Sequence, residues 1–68
     1  MVRGITEYGK HIKMRLVEMN QPQGWLVEEV RKATGLYFDK WYLHRAMTGG
    51  YVSPRIIEAI DGILDSNV

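Results

Sequence analysis

From Ile5 to Met19, apolar residues fall at Ile5, Tyr8, Ile12, Leu16 and Met19. Those steps of three and four predict a helix with Lys10, Lys13 and Glu18 on its wet side. Thr6 is placed to cap its start, and Pro22 stops any continuation. A second helix is predicted over 23–34, with Leu26, Val30 and Ala33 on one face and Val27 beside them. Within it, Glu28 and Lys32 form an i,i+4 pair in the favourable orientation, worth about 0.2–0.5 kcal/mol. Gly35 follows where a left-handed C-cap belongs. Leu36, Tyr37 and Phe38 make an apolar connection too short for a useful strand and are expected to plug the corner between two helices.

Asp39 opens a third helix as its N-cap, and Gly49-Gly50 closes it. Its apolar edge is Leu43, Ala46 and Met47. Its other edge carries Lys40, Trp41, His44 and Arg45, side chains able to bond to a partner. Tyr51-Val52 leads to Ser53-Pro54, an N-cap followed by proline at the first helical position, a specific start signal. The last helix shows a broad stripe of Ile56, Ile57, Ile60, Ile63 and Leu64, with Glu58, Asp61 and Asp65 opposite as a solvated face. No stretch alternates with period two, and no repeat or linker interrupts the chain. The expectation is a single all-α domain over residues 1–68. Its second and third helices, joined at Gly35, form a helix-turn-helix.

Composition narrows the class. Sixty-eight residues allow one domain, and a chain of this size buries only about 60% of its unfolded surface. With no cysteine, neither a disulfide framework nor a thiolate metal site holds the fold. Charges run throughout residues 1–20, so neither a signal peptide nor a membrane span is expected, and the protein is read as cytoplasmic. Up to Arg55, nine Lys/Arg stand against five acids, a balance of +4; from Ile56 onward three acids give −3. A basic body with an acidic last helix is the asymmetry expected when one face meets phosphate. Uneven scatter of charge in a small domain is the plain alternative.

The run Tyr42-Leu43-His44-Arg45-Ala46-Met47-Thr48-Gly49, then Ser53-Pro54 and Ile56-Ile57-Glu58-Ala59-Ile60, resembles the Cro and phage-repressor helix-turn-helix family (Xre-like regulators). Gln23 with Leu26-Val27-Glu28-Glu29-Val30 is similar to that family's second helix. The resemblance spans roughly Tyr8 to Leu64 and is carried by the order and spacing of several motifs. Three features depart from the family pattern. The second helix is about one turn longer before its turn glycine, and the connection is longer and more aromatic. Pro22 and Gly24 also replace the usual capping residue and helix former. The resemblance implies a four- to five-helix, lambda-repressor-like domain that binds double-stranded DNA as a phage-type or mobile-element transcription regulator or repressor.

A recognition helix presents its N-terminal residues to base edges. Matching on Leu43 to Gly49, the resemblance places Lys40, Trp41 and Tyr42 at the base edges, with His44 and Arg45 a turn further on. Arg and Lys suit guanine O6/N7, and an aromatic edge suits a thymine methyl. Each has a plainer reading. Trp41 packs against Tyr37 or Phe38 as satellite core, Tyr42 is half-buried, and Lys40 and Arg45 are ordinary solvated residues. For phosphate, the resemblance nominates Gln23 at the start of the second helix, where free N–H groups attract anions in any case. Thr48, Tyr51 and Arg55 cluster around the Gly49-Gly50 turn as further backbone contacts. Lys10, Lys13 and Arg15 read as the solvated face of the first helix.

No catalytic constellation stands out, so no enzyme and no cofactor is expected. His11 and His44 have no cysteine or spacing partner for a metal, and Gly49-Gly50 lacks the surrounding pattern of a phosphate loop. The rival reading is a small protein-interaction module, adaptor or anti-repressor, using an aromatic patch around Trp41, Tyr37 and Phe38. A homodimer is expected, because one short helix reads few base pairs. Ile57, Ile63 or Leu64 of the last helix is the spare apolar surface.

Overall fold

The computed structural model describes residues 6–65. Four helices follow one another: α1 (Glu7–Glu18), α2 (Gln23–Thr34), α3 (Lys40–Met47) and α4 (Pro54–Asp65), with no strand among the described residues. None of these helices is long and apolar enough to cross a membrane. α2 packs most closely on α4 and α1 on α3, with α1–α4 and α2–α3 contacts completing the bundle.

The apolar periods become one core. Ile12 and Leu16 of α1, Leu26, Val27 and Val30 of α2, Leu43, Ala46 and Met47 of α3, and Ile56, Ile60 and Leu64 of α4 are all buried together with Phe38 and Val52. Ile5, expected in the first stripe, lies outside the described residues. The punctuation also matches. Thr6 Oγ1 accepts the Gly9 N–H at 3.1 Å as N-cap of α1. Gly35 ends α2 at φ 69° and ψ 8°, its N–H donating to the Arg31 carbonyl, a left-handed conformation that costs glycine little. Ser53 Oγ accepts the Arg55 N–H at 3.3 Å ahead of Pro54.

Five expectations are corrected. Ala33 is exposed, because it borders a shallow cleft with Thr34, Arg55, Glu58 and Ala59 that no large side chain fills. Glu28 pairs with Arg31 and Glu29 with Lys32, both at 3.3 Å and three residues apart; the Glu28–Lys32 pair does not form, since each acid reaches the nearer cation. Of the connection, only Phe38 plugs the corner, while Leu36 and Tyr37 face outward. Arg15 and Asp61 are not simply solvated. Arg15 Nε and Nη2 donate to the Leu64 carbonyl at 3.0 and 2.6 Å, and Asp61 accepts the Tyr8 hydroxyl at 2.9 Å. Finally, Leu64 is fully buried in the chain's own core, which removes it as spare surface; Ile57 and Ile63 are half-buried against that core.

Candidate functional site

At eight residues α3 is far shorter than the roughly 12–15 that make an isolated helix marginally stable. Its ends and inner edge are therefore held by the rest of the chain. At the start, Asp39 Oδ1 accepts the Tyr42 N–H at 3.0 Å, and its other oxygen accepts the Tyr37 hydroxyl. The Tyr37 bond, and then the Tyr42 amide, hold the Asp39 carboxyl below its ordinary range. The same bond raises the Tyr37 phenol. At the far end, the Met47 carbonyl accepts both the N–H and the hydroxyl of Thr6, each at 2.9 Å. One threonine thus caps α1 and occupies a carbonyl that α3 cannot satisfy itself. Leu43, Ala46 and Met47 bury the inner edge.

The outer edge is left open. Lys40, Trp41, His44 and Arg45 are exposed, and spacings of three and four residues put them on one side of the helix. Trp41 is 80% exposed, so it is not satellite core. Tyr42 is half-buried: its ring stacks on Phe38 with centroids 5.9 Å apart and meets Tyr37 edge-on at 6.0 Å. The Arg45 guanidinium carbon stands 5.9 Å from the Tyr42 ring centroid. Tyr37, Asp39, Trp41, Tyr42 and Arg45 together line a cleft of about 190 Å³.

Charge separates this edge from the other helices. Lys10–Glu7 (3.6 Å), Arg15–Glu18 (2.6 Å), Arg31–Glu28 and Lys32–Glu29 (both 3.3 Å) pair within α1 and α2. Among the described residues, Lys13, Lys40, Arg45 and Arg55 have no carboxylate within ion-pair distance. Three of those four belong to α3 and the first turn of α4, which concentrates free positive charge there.

The residues proposed for phosphate are dispersed. Gln23 is exposed at the start of α2, where no side chain caps the helix, and it shares a shallow cleft with Lys13, Val17 and Pro22. Arg55 is exposed at the opposite end of α2, beside Ala33 and Thr34. At 1.5 Å per residue those ends lie roughly 16 Å apart along the helix axis. Tyr51 is 79% exposed. The Thr48 hydroxyl donates to the His44 carbonyl at 3.0 Å, so its proton is already used.

Tyr37, expected only as part of an aromatic protein-binding patch, lines the cleft and braces the Asp39 cap. Gly50, expected only as part of a helix stop, also shapes the site. Gly50 makes room for Arg45, because a Cβ there would overlap Arg45 Cγ. Its N–H also donates to the Arg45 carbonyl at 2.9 Å. No family model, curated protein or solved structure matches the chain.

Proposed function

We propose that this chain is a sequence-specific, double-stranded DNA-binding transcription regulator of the phage or mobile-element type. In this reading α2 and α3 act as a helix-turn-helix in a lambda-repressor-like arrangement, and α3 enters the major groove. The observation that carries it is the outer edge of α3. Lys40, Trp41, His44 and Arg45 project from a helix fixed at both ends, and its cations have no acid within ion-pair distance among the described residues. The major groove, about 12 Å wide, admits one helix and displays paired acceptors on guanine that suit Arg and Lys. Tyr42 contributes chiefly by holding Arg45. Gln23, Tyr51 and Arg55 meet the backbone on either side, fixing register without specifying sequence.

The chain works as a homodimer in this proposal, so that two copies of α3 read half-sites about 34–36 Å apart. With Leu64 committed to the core, α4 offers only Ile57 and Ile63, half-buried. Met14 and Val17 of α1, 62% and 79% exposed, leave more apolar surface uncovered.

Selection of bound duplexes from a random library, at low and moderate salt, tests the proposal. An inverted repeat that Arg45→Ala no longer recovers supports it. Recovery of no sequence, with binding abolished by modest salt, contradicts it. One observation favours a second reading: the exposed aromatics Tyr37, Trp41 and Tyr51 also suit an adaptor surface for another regulator. Association through them would respond little to salt, whereas DNA binding weakens steeply through counterion release.

A further inference from the structure

The cleft beside α3 combines two chemistries that seldom share so small a space. Tyr37 and Trp41 supply exposed aromatic surface, and Arg45 supplies a fork of donors against Tyr42. At about 190 Å³ the cleft is smaller than the roughly 300–1,000 Å³ typical of small-molecule sites. It therefore suits part of a larger surface better than an enclosed ligand. Three aromatic rings beside a carboxylate also resemble a cage for an organic cation. Here, however, Arg45 already lies over Tyr42, and Asp39 is committed to the Tyr37 hydroxyl and the Tyr42 amide. A second cation would meet a like charge.

What fits is a neutral apolar group next to paired acceptors. Resting on the DNA-binding reading above, we propose that the cleft recognises one base step, a pyrimidine carrying a 5-methyl group followed by guanine. The methyl packs against Trp41 and Tyr37, and Arg45 bonds guanine O6 and N7. In the major groove a pyrimidine 5-methyl is apolar and guanine O6/N7 form an acceptor pair. Successive bases are about 3.4 Å apart, a spacing that one cleft with both kinds of wall can span. Thymine and 5-methylcytosine present the same methyl group. The site thus accepts TpG and methylated CpG and discriminates against unmethylated CpG.

The test measures affinity for the duplex recovered by selection, with defined base substitutions in the DNA. Uracil in place of the thymine removes one methyl and should weaken binding about fourfold. Replacing that thymine–adenine pair by 5-methylcytosine–guanine should largely restore wild-type affinity. 7-Deazaguanine at the next position removes N7 and should weaken binding about fivefold or more. Trp41→Ala, at an exposed position, should abolish the response to uracil and keep the response to 7-deazaguanine. Arg45→Ala should show the reverse. A selected motif that tolerates uracil at every thymine, or that contains no such step, overturns the inference and leaves the DNA-binding reading standing. Recovery of no motif at all overturns both.

Discussion

Arg15 and Arg45 are the same residue put to opposite uses. Arg15, on the α1–α4 seam, gives two nitrogens to the Leu64 carbonyl and a third to Glu18 at 2.6 Å. It ties α1 to a carbonyl in the last described turn of α4. Beside it, the Tyr8 hydroxyl donates to Asp61, and the Tyr8 phenol is raised, first by burial and then by that bond. Arg45, on the outer edge of α3, lies over the Tyr42 ring and has no carboxylate within ion-pair distance among the described residues. Polar groups on the seam are consumed by the fold. On the edge, Lys40 and Arg45 are exposed and have no carboxylate within ion-pair distance among the described residues, which leaves their charge available to a partner.

Substitutions should separate these regions. The largest effect belongs to neither: Phe38→Ala empties the corner beneath Tyr42 and should cost about 3–5 kcal/mol. In a domain this small, urea denaturation should then begin near zero denaturant. Arg15→Met should lower unfolding free energy by about 1.5–3 kcal/mol, with DNA affinity of the folded fraction unchanged. Tyr8→Phe should remove about 0.5–1.5 kcal/mol by the same measurement. On the edge the pattern inverts. Arg45→Ala should change stability by no more than about 0.5 kcal/mol while weakening duplex binding by about 1–3 kcal/mol. Gly50→Ala should mimic that binding loss, since its Cβ displaces the Arg45 side chain.

The smallest effect is acid-dependent. The Asp39 carboxyl is held below its ordinary 3.8, chiefly by the Tyr37 hydroxyl. A depressed folded value means that the contribution is complete above 3.8 and is lost as pH falls through the lowered value. Melting curves at neutral and strongly acidic pH should therefore show a small acid loss that Asp39→Asn removes.

Local signals explain what was legible in the chain. Thr6, Gly35, Asp39 and Ser53-Pro54 mark helix ends through bonds to neighbours within a few residues, and each behaves in the structure as its chemistry requires. The apolar edge of α3 was equally plain. Arg15 and Asp61 were not, because their partners lie 49 and 53 residues away along the chain. Periodicity places both on a wet face and has no means of showing that α1 and α4 meet there. Leu64 was misread for a related reason: a stripe broad enough to face a partner is also broad enough to face the chain's own core. On α3, spacing brought Lys40, Trp41, His44 and Arg45 to one side. The cleft itself depends on Tyr37 folding back to Asp39 and on the space left at Gly50.

The most direct test of the contrast between seam and edge is amide and indole chemical-shift mapping. The selected duplex would be titrated into the 15N-labelled protein. The largest changes should fall at Lys40, Trp41, His44 and Arg45, including the Trp41 indole N–H, with the amides of Arg15 and Asp61 nearly still. Changes centred on Met14 and Val17, or none along α3, would contradict that contrast.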